Sequence, residues 1–239
     1  QEKHPRPAMP AMPSPWLTAA LGATTAALLL WHARRRRRRH LARRRISDAQ
    51  WDHFMTEGYV VLPPEQVFAA WESDIKALQD RLDEICMGTA KVPYGQMMMQ
   101  LDSTTGEYGQ AGEQTLGFKG PTLRYRKIQN LDRDDLVMRY LRRPVLREAC
   151  QRVYGPETPI SSFRTMFFNK PKAHGGGAPG GTRLPWHQDR WRYLDRDPLL
   201  NVYLALDPAT PASGNVRIIP RSHTWGVLNP DHHSAFLTE

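Results

Sequence analysis

Nine of the twelve residues from 34 to 45 are arginine, and no acidic residue stands among them. They hold the whole charge excess of the chain. Thirty-three Lys and Arg against 24 Asp and Glu give +9, and outside this run the two signs balance. A nucleic-acid-binding domain spreads basic residues over a folded face, so the charge pattern argues against that class. The arginines also come directly after sixteen uncharged residues, 16–31, with a tryptophan at each end. As a helix this stretch is about 24 Å long, short of the roughly 30 Å hydrocarbon thickness of a bilayer, a mismatch that bilayer thinning or snorkelling arginines can meet. Tryptophans favour the two interfaces, and the positive-inside rule keeps the chain beyond the arginines on the cytoplasmic, matrix or stromal side. The reading is an extended segment over 1–15, a transmembrane helix over 16–33, an Arg-rich juxtamembrane segment over 34–45 and a folded domain from 46 to 239. Glu2 is the one acidic residue before position 47, a composition that an organelle transit peptide shares. The expected setting is a single-pass membrane protein, with the mitochondrial inner membrane favoured, in contact with membrane lipid.

The remaining composition is ordinary for a globular chain, at 40% hydrophobic and 24% charged. Cys86 and Cys150 lie far apart and outside any CxxC, so neither a disulfide scaffold nor a zinc ribbon organises the fold. Both read as reduced, packed thiols.

From Ile46 the pattern becomes that of a folded domain. Ser47 and Gln50 have capping-box spacing, with Trp51, Phe54 and Met55 on one helix face and Gly58 at its end. Residues 59–62 read as a short strand. A second helix is predicted over 64–87 on the stripe Val67, Phe68, Trp71, Ile75, Leu78, Leu82 and Ile85. Loops and short strands fill 88–120. A strand entering a turn is expected over 124–131, and a helix broken by Pro144 over 134–154. Period-two patterning then predicts strands over 163–169, 199–206 and 216–219. Helices first and strands afterwards make an α+β class.

The sharpest local feature is Leu-Pro-Trp-His-Gln-Asp at 184–189. On a strand, residues i and i+2 leave on the same face, so His187 and Asp189 can grip one metal ion. With a second His they would complete a facial triad that leaves open positions on Fe(II). Alone the pattern is weak. Nine His and 14 Asp in a chain of 239 residues give about half an HxD by chance. Its neighbours add weight: a Gly-rich loop before it, which carries no Walker lysine, and SGNVRIIPRSH (213–223) after it.

Together, ISDAQWDHFMTEGYVVLP (46–63), RKIQNL (126–131), MFFNKP (166–171), LPWHQD, LLNVYLALD (199–207) and SGNVRIIPRSHTWG (213–226) resemble the phytanoyl-CoA dioxygenase family. These are Fe(II)- and 2-oxoglutarate-dependent oxygenases. The resemblance covers about residues 46–239 and implies a double-stranded β-helix, or jelly roll, with packing helices. It implies that His187 and Asp189 ligate iron, that Lys127 contacts 2-oxoglutarate, and that Met166 and Tyr203 line the cosubstrate. It gives His223 a structural place in the PRSH turn and places His232 and His233 in a lid-like segment. The family's second iron-binding His and the Arg that clamps 2-oxoglutarate have no match in the residues after the PRSH turn. The expectation is therefore a C-terminally incomplete β-helix that is an enzyme if those two residues are supplied from elsewhere. Its reaction would be hydroxylation of an unknown substrate, for which the membrane anchor favours something lipid-like. The alternative is a non-catalytic subunit of a membrane protein complex, built on the same fold with other protein subunits as partners.

Overall fold

The computed structural model describes residues 44–170, 181–190, 194, 198–228 and 237. The chain divides at Arg44/Arg45, and the folded domain is the second unit, Arg45–Glu239. The expected transmembrane helix, the loop 175–180, His232 and His233 lie outside the described residues. Among the described residues no helix is long and apolar enough to cross a membrane.

Helix α1 (Asp48–Glu57) starts on the predicted box. Ser47 Oγ accepts from Gln50 N at 3.1 Å, and Gln50 Oε1 accepts from Ser47 N at 2.9 Å. Two otherwise orphaned donors are thereby satisfied. The predicted strand at 59–62 does not form; this segment joins no ladder, and Val61 is 79% exposed.

The predicted helix 64–87 is two helices, α2 (Pro64–Val67) and α3 (Trp71–Met87). The break falls at Phe68, which turns extended at φ −120°, ψ 143°. Its ring enters the core, stacks on Tyr140 with centroids 5.8 Å apart, and lies under the Arg143 guanidinium. A continuous helix would carry Phe68 past that slot. Trp71, expected in the core, is instead 42% exposed at the start of α3. The working stripe of α3 is Leu78, Leu82, Ile85 and Cys86, all buried. Burial pushes the Cys86 thiol up to about 12, so it stays protonated and inert.

The sheet is antiparallel, in the order β2 (Thr115–Leu116), β1 (Met98–Leu101), β3 (Tyr125–Gln129), β4 (Met166–Phe168). Register aligns Met99 with Ile128 and Ile128 with Phe167. Opposite residues share a face, and these three pack with the α3 stripe, Met97 and Leu131 in the main core. Helices α4 (Asp135–Leu141) and α5 (Pro144–Tyr154) come next, separated where Pro144 predicted. Buried Asp134 caps α4 through Leu136 N and Val137 N, and its other oxygen meets Arg81 of α3 at 3.2 Å.

The later predicted strands form only in part. Of 163–169, only Met166–Phe168 pairs. Segments 199–206 and 216–219 are not in a ladder at all. Leu199, Val202, Val216 and Ile218 are exposed there. A period-two pattern makes a strand only when a neighbour takes its backbone hydrogen bonds, and none of the described residues does so. The α+β class stands in helices α1–α5 and one four-stranded sheet.

The PRSH turn reaches back onto α1. Arg221 donates to the Glu57 carboxylate at 2.9 Å, and its own N–H donates to Glu57 O. The His223 ring lies against Gly58, whose φ is +83°. A Cβ at Gly58 would stand 2.4 Å from His223 Nδ1. Gly58→Ala therefore combines left-handed strain with a ring clash and should cost about 2 kcal/mol in denaturant unfolding. In a double-mutant cycle, His223→Ala should recover the steric part of that loss and leave the strain.

Candidate metal and carboxylate site

His187 and Asp189 come together, although their segment forms no strand and carries only an isolated bridge at His187. His187 Nε2 and Asp189 Oδ1 are 3.6 Å apart, with both side chains part-exposed. Each is held by a second contact. His187 Nδ1 donates to Pro185 O at 2.8 Å, which places the ring's lone pair on Nε2. Asn201 Nδ2 donates to Asp189 Oδ2 and leaves Oδ1 turned to the histidine. Such outer contacts fix the orientation of metal-binding groups.

The segment carrying the pair is tied down on both sides. Before it, Thr182 donates to Asp102 and Arg183 N donates to Gly106 O at 2.9 Å. Within it, Trp186 O accepts from Leu237 N at 2.8 Å, and the Arg217 guanidinium sits over the Trp186 ring. Between them, the Gln188 amide donates to Gly226 O at 2.8 Å and accepts from Leu228 N at 3.0 Å. It thereby staples the turn after PRSH to the segment of the pair.

Lys127 and Met166 meet on the neighbouring sheet. Lys127 stands opposite Gln100 and Phe168, and Gln129 stands opposite Met98 and Met166. One sheet face thus carries Lys127, Gln129 and Met166 together. Lys127 Nζ donates to Gln114 Oε1 at 3.3 Å and lies over the Phe168 ring. Desolvation lowers its pKa to about 8, with help from Arg126 and Arg164, while Asp189 opposes the shift. That Asp189 acts on Lys127 through space puts the ammonium and the His187–Asp189 pair in one electrostatic neighbourhood. Arg164 adds positive charge there from an uncommon backbone, φ 58°.

Tyr203 behaves otherwise. It is 62% exposed. Its segment contributes Asn201 instead, which lies within the LLNVYLALD motif but to which the resemblance gives no role. The signal for Asn201 is faint: a polar residue at the head of an apolar run. Gln129 likewise lies within RKIQNL, where the resemblance gives a role only to Lys127.

An imidazole nitrogen and a carboxylate oxygen 3.6 Å apart can both reach one divalent ion at bond lengths of about 2.1 Å. The donor types suit Fe(II), so the two residues fit two positions of the metal. Among the described residues no group of three His, Cys, Asp or Glu gathers around one point. His223 does not extend the pair, because its Nε2 donates to Met55 O at 3.1 Å.

The sequence pattern of the phytanoyl-CoA dioxygenase family matches residues 54–235, about three quarters of the chain. The chain belongs to that family, whose members use Fe(II) and 2-oxoglutarate on a cupin-like jelly roll. No curated protein and no solved structure matches it.

The lysine gives a pH test. A lysine whose folded pKa lies below its unfolded value destabilises the fold while charged. That penalty is complete below about pH 8 and is relieved as pH rises towards 10.5. Lys127→Met should therefore raise Tm by a few degrees at pH 7, and the gain should shrink through pH 8–10.5. Differential scanning calorimetry across that range checks it. A pH-independent gain would mean the ammonium is not desolvated.

Proposed function

We propose that the chain is an Fe(II)- and 2-oxoglutarate-dependent oxygenase that hydroxylates a C–H bond. The observation that carries this reading is the His187–Asp189 pair, oriented by Pro185 O and Asn201, beside a half-buried lysine. His187 and Asp189 would hold the iron, which when bound supplies the activation of O2. The remaining work falls to the protein. Pro185 O keeps the imidazole proton on Nδ1, so Nε2 is the ligating nitrogen. Asn201 keeps one Asp189 oxygen aimed inward. Lys127, charged below about pH 8, attracts the carboxylate of the cosubstrate to the sheet face that Met166 and Phe168 make partly apolar. The apolar stretch 16–31 and its arginines support a membrane anchor, an organelle membrane such as the mitochondrial inner membrane, and a lipid-like substrate.

A second reading, a non-catalytic subunit of a membrane complex, draws on the exposed apolar side chains Leu199, Val202, Tyr203, Val216 and Ile218. One assay separates the two. Incubated with Fe(II), O2 and 2-oxoglutarate, an oxygenase releases succinate, and His187→Ala and Asp189→Ala each reduce release to background. Asn201→Ala, which leaves both ligands in place, should weaken Mn(II) affinity about tenfold. Absence of succinate together with absence of metal binding would leave the subunit reading.

A further inference from the structure

The segment of His187 and Asp189 joins no sheet, so its place in the molecule depends on individual contacts. One series of them leads back to the first helix. The Gln188 side chain, between the two metal-binding residues, uses both ends of its amide on one backbone turn. It donates to Gly226 O at 2.8 Å and accepts from Leu228 N at 3.0 Å. That turn follows directly on the single 3-10 turn Ser222–Thr224. Arg221 caps this turn and is fixed to the last residue of α1. Its Nη2 and Nε donate to Glu57 Oε1 at 2.9 and 3.1 Å, and its backbone N–H donates to Glu57 O at 2.9 Å. His223 Nε2 donates to Met55 O at 3.1 Å, in the same helical turn. Helix α1 is itself set against α5. Ile46, just ahead of it, is 2% exposed, packs with Val145 and Leu146, and its carbonyl accepts from Arg152 at 2.7 Å.

Arg221 carries a conformational burden. Its φ is 65° and its ψ 0°, in the left-handed region where a Cβ is strained and glycine is favoured. Its side chain is 68% exposed, and exposed ion pairs contribute little to stability. Two guanidinium nitrogens on one carboxylate instead fix a direction. Stability alone would place glycine at 221, whereas orientation requires the arginine. We infer that Arg221 and Gln188 are positioning residues for the His187–Asp189 pair. Helix α1 orients the PRSH turn through Glu57 and Arg221, the turn orients Gln188, and Gln188 sets how its two neighbours meet. That the pair receives iron rests on the oxygenase reading; the linkage from α1 to the pair does not. The contacts act in series, so a break at Arg221 and a break at Gln188 release the same segment.

The test uses the full chain and two readouts: hydrogen exchange of the peptide 182–190 without metal, and Mn(II) affinity by electron paramagnetic resonance. Arg221→Gly removes the guanidinium and relieves the left-handed backbone, so Tm should stay the same or rise. Exchange over 182–190 should nevertheless quicken several-fold, and Mn(II) should bind about threefold more weakly. Gln188→Ala, one contact nearer, should weaken Mn(II) about tenfold. The double variant should match Gln188→Ala in both readouts, because the path is already cut. A Tm that falls in Arg221→Gly would make the ion pair a stability element and overturn the inference. Unchanged exchange and Mn(II) affinity in Arg221→Gly, or losses that add in the double variant, overturn it and leave the oxygenase reading standing. If the wild-type chain takes up no Mn(II), exchange decides. Quickened, non-additive exchange then upholds the linkage and removes the oxygenase reading, and unchanged exchange overturns the linkage.

Discussion

The two faces of strand β3 set the terms for the rest of the molecule. Ile128 must face α3, because with Met99 and Phe167 it joins the sheet to the helical stripe. Period two then sends Lys127 and Gln129 to the other face, whatever that face contains. A one-residue slip would bury an ammonium against Leu82 and Ile85 and turn Ile128 outward. Register is therefore fixed by the core, and the chemistry inherits it. The same applies across the ladder, where Met166 takes its place opposite Gln129 because Phe167 packs inward.

The two polar groups are a burden on that strand. Lys127 is desolvated enough to bring its pKa down to about 8, and Gln129 carries an unmet donor. Apolar residues at both positions would suit the sheet better. Conflict between local preference and fold marks functional positions, and a protein retains it when the groups act on something else. The ion pair Arg221–Glu57 shows the contrast. It lies at the surface, each partner satisfies the other, and its work is to fix a turn on a helix end.

How legible a feature is in the sequence depends on how local its interactions are. The capping box at Ser47, the Gly58 stop, the Pro144 break and the His187–Asp189 pairing all depend on neighbours within four residues, and all appear. The break at Phe68 is hidden, because the slot that draws its ring out of the helical run is made by Tyr140 and Arg143, far along the chain. The strands predicted at 199–206 and 216–219 have the right side chains, but a ladder needs a partner that a pattern cannot supply. Asn201 and Gln188 are illegible for the same reason. Their roles consist of contacts to Asp189, Gly226 and Leu228 across 12 to 40 positions of sequence. The unmet donor of Gln129 is the extreme case, since it is defined by the absence of an acceptor in the folded surroundings.

The His187–Asp189 pair and the Lys127–Gln129 face are built on different parts of the chain. Lys127 and Gln129 ride on a strand whose position the main core dictates. His187 and Asp189 ride on a segment held by side-chain and single backbone contacts to residues 102–106, 201, 226–228 and 237. Few of those contacts are buried, so the pair is supported more weakly than strand β3. Charge links the two across the gap: Asp189 stabilises the Lys127 ammonium. An ion held at His187 and Asp189 would weaken that attraction and leave the ammonium in greater need of an anion.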